Sequence, residues 1–133
     1  MMQIDGGCHC GRITYRAQID PARVSICHCT DCQRLTGSPF RLTVLCNREA
    51  IDIDGEPATY GKTGDSGRGR LMYFCRDCGT PLFASSADGI GDWGIRWGGI
   101  TQRAALTPMR QIWCGSAVPW LGEIDGLPAK ATD

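Results

Sequence analysis

Three cysteines within six residues, Cys27-His28-Cys29-Thr30-Asp31-Cys32, constrain this chain more than any other stretch, because further cysteine pairs flank them at Cys8/Cys10 and Cys75/Cys78. Seven of the nine thiols therefore lie in three tight clusters, and an odd total already prevents complete pairing into disulfides. In a chain with no secretion signal, such clustering points to metal binding. The N-terminus, Met1-Met2-Gln3-Ile4-Asp5, has neither a basic flank nor an apolar stretch of secretory length. The expected location is the cytoplasm, where thiols stay reduced.

A glycine follows each flanking pair, Gly11 after Cys10 and Gly79 after Cys78, whereas Gln33 follows Cys32. Glycine turns the backbone sharply at no steric cost, and such turns aim N–H groups at sulfur and spread thiolate charge. Each flanking pair thus reads as half of a four-cysteine cage. Joined, Cys8, Cys10, Cys75 and Cys78 would form the closed tetrahedral shell of a structural zinc, clamping the start of the chain to its middle across 65 positions. Iron is the alternative ion for four thiolates.

The central triplet Cys27, Cys29 and Cys32 offers three ligands, which matches the open coordination sphere of a catalytic zinc. The competing reading is a second closed site, with Cys46, Cys114 or His28 as fourth ligand. If residues 27 to 29 are extended, alternate side chains point to opposite faces, which turns His28 away from a metal held by its neighbours. His9 is turned away by the same alternation, and both histidines are expected at the surface or just outside the ligand shell. Cys46 and Cys114 read as small hydrophobes.

With 133 residues the chain is expected to form a single domain, 1–133, with a frayed tail over 127–133. Fourteen basic residues balance 14 acidic ones, so no overall electrostatic footprint for a nucleic acid is present. No run approaches the ~18 apolar residues of a membrane helix. A homo-oligomer is compatible with the chain. Ile13, Tyr15, Ala17 and Ile19 alternate with polar residues, the period-two signature of a half-buried strand. Further short strands are expected around Val24–Cys27, Arg41–Cys46, Ile51–Asp54, Leu71–Phe74, Pro81–Ala84 and Trp93–Trp97, with one helical turn over Thr30–Thr36. The glycines at 61, 64, 67 and 69 predict a mobile loop or a wide hairpin. No segment sustains helical periodicity over ten residues, so an all-β fold of short strands is expected. Trp93, Trp97, Trp113 and Trp120 read as packing residues, one or two of which could line a ligand site. Arg68 and Arg70 are solvated charges or a clamp closing over a carboxylate.

Gly7-Cys8-His9-Cys10-Gly11, Cys27 to Gln33, Gly37-Ser38-Pro39-Phe40 and Phe74 to Phe83 together resemble the glutathione-dependent formaldehyde-activating enzyme family, which includes centromere protein V. The ending, Ile112-Trp113 to Pro119-Trp120 with Gly126-Leu127-Pro128, is also similar to many members. The resemblance implies an Mss4-like β-tent of short antiparallel strands with two zinc ions: a structural zinc on Cys8, Cys10, Cys75 and Cys78, and a catalytic zinc on Cys27, Cys29 and Cys32. It implies a carbon–sulfur lyase activity, the condensation of formaldehyde with glutathione to S-hydroxymethylglutathione, with glutathione as cosubstrate. It supplies no further catalytic side chain.

A zinc ion with three thiolates carries a formal charge of −1 and is a feebler Lewis acid than a three-histidine zinc. An incoming soft thiol is expected to suit its open position better than water, and could attack an aldehyde whose oxygen is steadied by nearby donors. Asp31 or Thr30 could carry the proton. The alternative is a non-catalytic two-zinc module that binds a protein partner or carries a thiol.

Overall fold

The computed structural model describes residues 1–133. Strand β1 (Met2–Gly7) pairs antiparallel with β2 (Thr14–Ile19), and β2 pairs with β5 (Ile51–Asp54), forming a three-stranded sheet. A seven-stranded sheet runs in the order β10 (Arg110–Ile112), β3 (Val24–Cys27), β4 (Arg41–Asn47), β9 (Asp92–Arg96), β8 (Pro81–Ser86), β7 (Gly69–Phe74) and β6 (Ala58–Thr63). The single α-helix, α1 (Thr30–Thr36), follows β3 and touches β4. The all-β expectation is met, with one exception to antiparallel pairing: β10 lies parallel to β3.

The period-two pattern of β2 appears as alternating exposed and buried residues. Tyr15, Ala17 and Ile19 turn inward and meet Val24, Val44, Ile95 and Phe83 of the larger sheet in one apolar cluster. Fully burying side chains of this size stabilises by about 1.5–3 kcal/mol each. Tyr15 stands edge-on to Phe83 at 5.0 Å, while Tyr73 stacks on Trp93 at 4.4 Å. Truncating one of these, for example Ile95→Ala, would open a cavity costing about 2–5 kcal/mol.

If Val44 and Ile95 face the core, their neighbours must face outward. The register therefore aligns Arg110, Ser25, Thr43 and Arg96 in one row across β10, β3, β4 and β9, beside the Cys27–Arg41 pair. Gly94 keeps that face open, because a Cβ there would lie 2.6 Å from Thr43 Cγ2. The glycine-rich stretch is the wide hairpin rather than a loose loop. Gly61 and Gly69 are strand residues, with Lys62 opposite Arg70 and Thr63 opposite Gly69. Ladder hydrogen bonds override the weak local preference of glycine here. Residues 127–133 carry no regular element and are exposed.

Candidate metal centres and the cleft above one of them

The first centre is built by two turns. Gly11 (φ 80°) and Gly79 (φ 78°) both adopt the left-handed conformation, as the glycine placement predicts. Their amides close the turns onto the carbonyls of Cys8 and Cys75, at 3.1 and 2.8 Å. One turn follows β1 and the other joins β7 to β8, so the site couples the small sheet to the large one. The Sγ atoms of Cys8, Cys10, Cys75 and Cys78 all lie within 4.8 Å of one another. Cys8 to Cys10 is 3.6 Å and Cys10 to Cys75 is 3.7 Å, close to the ~3.8 Å edge of a tetrahedron with metal–sulfur bonds of about 2.3 Å.

Backbone and hydroxyl donors surround these sulfurs. The Ile13 amide donates to Cys8 Sγ at 3.2 Å. Hydrogen bonds from the Thr80 hydroxyl and amide bring the Cys78 thiol down to about 5. The Arg12 amide also favours the Cys10 thiolate, but the neighbouring sulfurs of Cys8, Cys75 and Cys78 outweigh that and push Cys10 up to about 12. Crowded thiolates resist full ionisation unless a cation joins them. His9 is exposed and takes no part beyond its amide bond to Thr80.

The second centre lies where β3 ends and α1 begins. Cys29 caps α1, its Sγ accepting from the Cys32 amide at 3.3 Å, and Cys32 stands in the first turn. The sulfurs of Cys27, Cys29 and Cys32 lie within 4.8 Å of one another, and no further cysteine, histidine or carboxylate belongs to the group. A hydrogen bond from Cys32 lowers the Cys27 thiol, while that same bond and burial raise Cys32. His28 points elsewhere: it is 3% exposed, bonds Gln111 through Nε2 at 2.8 Å and meets Phe40 edge-on. It is therefore a buried histidine rather than a surface one. Cys46 lies in the core with its thiol toward the Gln18 carbonyl, and Cys114 is exposed.

Above this triplet opens a cleft of about 350 Å³. Six cations line it, Arg41, Lys62, Arg68, Arg70, Arg96 and Arg110, against two carboxylates, Asp31 and Asp65. The balanced charge of the whole chain thus conceals a local excess of positive charge. Asp31 is ion-paired with Lys62 at 2.8 Å, which holds its carboxyl below the usual range and ties α1 to β6. Trp113 lies at the cleft, 50% exposed, and is the one non-glycine residue with positive φ (57°). That conformation is costly outside glycine.

Arg41 and Arg96 are the unexpected members. Arg41 is 4% exposed, has no carboxylate partner, and its Nε has no hydrogen-bond acceptor. Burial lowers its pKa, and the sulfurs of Cys32, Cys29 and Cys27 oppose that. Arg96 donates to Thr43 Oγ1 at 2.8 Å, while its Nε is likewise unpartnered. Burial lowers Arg96 as well, but a guanidinium remains charged at neutral pH. Buried cations without carboxylates require another source of negative charge, and the triplet sulfurs are the adjacent one. Arginines flanked by apolar residues on short strands, Phe40-Arg41-Leu42 and Ile95-Arg96-Trp97, were the available sequence signal. Alternation alone does not tell a solvated arginine from a buried one.

Comparison with known proteins agrees with this geometry. The family model for the glutathione-dependent formaldehyde-activating enzyme matches residues 3–116. A Schizosaccharomyces pombe protein described as an uncharacterized lyase is 27% identical over 89 residues, covering 67% of this chain and 62% of that protein. The chain therefore spans somewhat under two-thirds of the length of that relative. A crystal structure of a Rhodobacter sphaeroides protein shares the fold with a TM-score of 0.62 at 17% identity, over 80% of this chain and 98% of its own. Two packed sheets of short strands and paired cysteine turns constitute the Mss4-like β-tent. With the match running through both cysteine centres, the chain belongs to the glutathione-dependent formaldehyde-activating enzyme family.

Proposed function

We propose that this protein is a zinc-dependent carbon–sulfur lyase-like enzyme that forms and cleaves an adduct between glutathione and an aldehyde, similar to S-(hydroxymethyl)glutathione synthase. One observation carries the reading: three clustered sulfurs form part of the lining of a cationic cleft whose buried Arg41 lacks a carboxylate partner. Cys8, Cys10, Cys75 and Cys78 would hold a structural zinc, and Cys27, Cys29 and Cys32 a catalytic one. Sulfur-only donor sets suit zinc. A zinc ion on the triplet would supply an open position for a soft thiol and favour its thiolate form.

The protein's own residues do the rest. The carboxylates of glutathione are matched by Arg68, Arg70 and Arg110 along the cleft. As the C–S bond forms, the carbonyl π pair moves onto oxygen, and Arg41 and Arg96 stand ready to donate to it. The thiol proton ends on that oxygen through cleft water. The ion pair with Lys62 makes the Asp31 carboxylate a weaker base for that transfer. Cleavage is the same sequence reversed. Nine cysteines outside any disulfide, seven of them proposed metal ligands, suit the cytoplasm as the working compartment.

The test is glutathione titration of protein with cobalt in the triplet, together with exchange NMR of the glutathione–aldehyde equilibrium. A changed cobalt spectrum and accelerated exchange are expected. An unchanged spectrum would remove thiol coordination from the scheme. A second reading, a protein-binding module, draws on the exposed Met109, Ile112, Trp113, Trp120, Ile124 and Leu127 near the end of the chain. A stable complex isolated without glutathione turnover would favour it.

A further inference from the structure

A second cavity of about 350 Å³ adjoins the cationic cleft, and its character is different. Leu35, Tyr60, Phe74, Pro81 and Phe83 give it apolar walls. Arg41, Met72 and Arg96 line both cavities. The Met72 sulfur lies 3.9 Å from Arg41 Nη1 and 3.2 Å from Arg96 Nη2, so the boundary between the cavities is one flexible thioether beside two guanidinium groups. A thioether adapts readily to its neighbours.

This placement has a chemical consequence. A carbonyl oxygen held by Arg41 and Arg96 would have its carbon on the sulfur side of the boundary and its substituent on the apolar side. Formaldehyde has no substituent to place there. Since a cavity of about 150 Å³ accommodates benzene, the observed one has room for an aromatic ring or a branched alkyl chain. Apolar clefts with a few convergent polar groups are the usual form of a small-molecule site.

Building on the thiol–aldehyde reading, we infer that the Leu35–Tyr60–Met72–Phe83 cavity is a subsite for the apolar substituent of the aldehyde, making the preferred substrates aromatic or branched aliphatic aldehydes. The reaction is unchanged and balanced: the thiol sulfur bonds the carbonyl carbon, the C=O π bond breaks, and the thiol proton passes to the oxygen, giving a hemithioacetal. No oxidant or reductant is needed. A single methylene in an apolar pocket is worth about 10- to 200-fold in discrimination, so a whole ring should matter at least tenfold.

The zinc-loaded full chain is assayed with glutathione and either phenylacetaldehyde or formaldehyde, by exchange NMR. The expected result is a kcat/KM at least tenfold higher for phenylacetaldehyde. Leu35→Trp, which fills the cavity from the exposed helix α1, should reduce that ratio at least tenfold. Tyr60→Trp on β6 serves the same purpose if Leu35→Trp does not fold. Phenylacetamide, which keeps the ring and carbonyl but does not react with thiols, is titrated in parallel while the Leu35 and Met72 methyl resonances are followed. Equal or better turnover of formaldehyde would overturn the subsite and leave the lyase reading intact. Saturable shifts at Leu35 and Met72 without turnover of either aldehyde would uphold the subsite and overturn the lyase reading. Neither turnover nor shifts would overturn both.

Discussion

The two cysteine centres use the same donor atom in opposite settings. The quartet is held by two glycine turns with amide and hydroxyl donors, and it joins the two sheets. The triplet lies at a strand–helix junction, beside the buried Arg41, the half-buried Arg96 and an open cleft. Ligand number alone suggests the division between structure and chemistry. The surroundings fit the proposed division: turns that satisfy and immobilise sulfur suit a closed site, and cations without carboxylate partners beside sulfur suit a reactive one.

The largest effect expected from breaking this contrast is on the fold. Cys75 is fully buried, and a structural zinc contributes on the order of 10 kcal/mol, comparable to the about 5–15 kcal/mol of net stability in a typical domain. Cys75→Ser should therefore abolish cooperative folding by circular dichroism. Cys29→Ser should keep the fold and lower metal content from two ions per chain to one. Equal unfolding of both variants would erase the distinction between the centres.

Next in size is the arginine floor of the cleft. Arg41→Met preserves much of the side-chain volume but removes the donor proposed to meet developing oxyanion charge. A loss of about 100- to 1000-fold in kcat is expected, with the melting transition retained. An unchanged kcat would confine Arg41 to balancing thiolate charge.

Rim charge should matter less. Arg68 is exposed on the β6–β7 hairpin, and such charges contribute about 1 kcal/mol or less. Arg68→Ala should raise KM for glutathione up to about fivefold, with a weaker dependence on salt than the native protein shows. No change in KM would assign carboxylate binding to Arg70 and Arg110.

The smallest effect is expected in the apolar core shared by the two sheets. The Tyr15 hydroxyl is buried without a hydrogen-bond partner, so Tyr15→Phe should leave stability near neutral pH almost unchanged or slightly raised. Burial, and then the charge of Asp5, raises the Tyr15 pKa above its usual value. The neutral phenol is thus favoured by folding: its contribution is constant below the unfolded pKa of about 10 and is lost as pH rises beyond it. Native protein should lose stability above pH 10 faster than the phenylalanine variant in parallel thermal melts.

Much of the fold was legible because its signals are local. The alternation in β2, the breaks at Asp20-Pro21 and Gly37, and the positive-φ glycines after Cys10 and Cys78 each depend on a few adjacent residues. The three-residue β10 was not legible, since its pairing with β3 joins residues more than eighty positions apart and its residues show no buried face. The order of the glycine hairpin was hidden for a related reason: cross-strand partners, not intrinsic preference, keep Gly61 and Gly69 extended. Arg41 and Arg96 were missed as site residues, although their positions on strands were not.

From the sequence alone come the donor atoms, their grouping into pairs and a triplet, and the preference for short strands. Spacing and glycine chemistry act within a few residues of the cysteines and need no distant contact. Only the tertiary structure decided that Arg41, Arg96 and Met72, from three different strands, meet beside the triplet and separate a cationic cleft from an apolar one. Burial and charge pairing belong to the packed sheet, because they depend on which residues the register brings side by side.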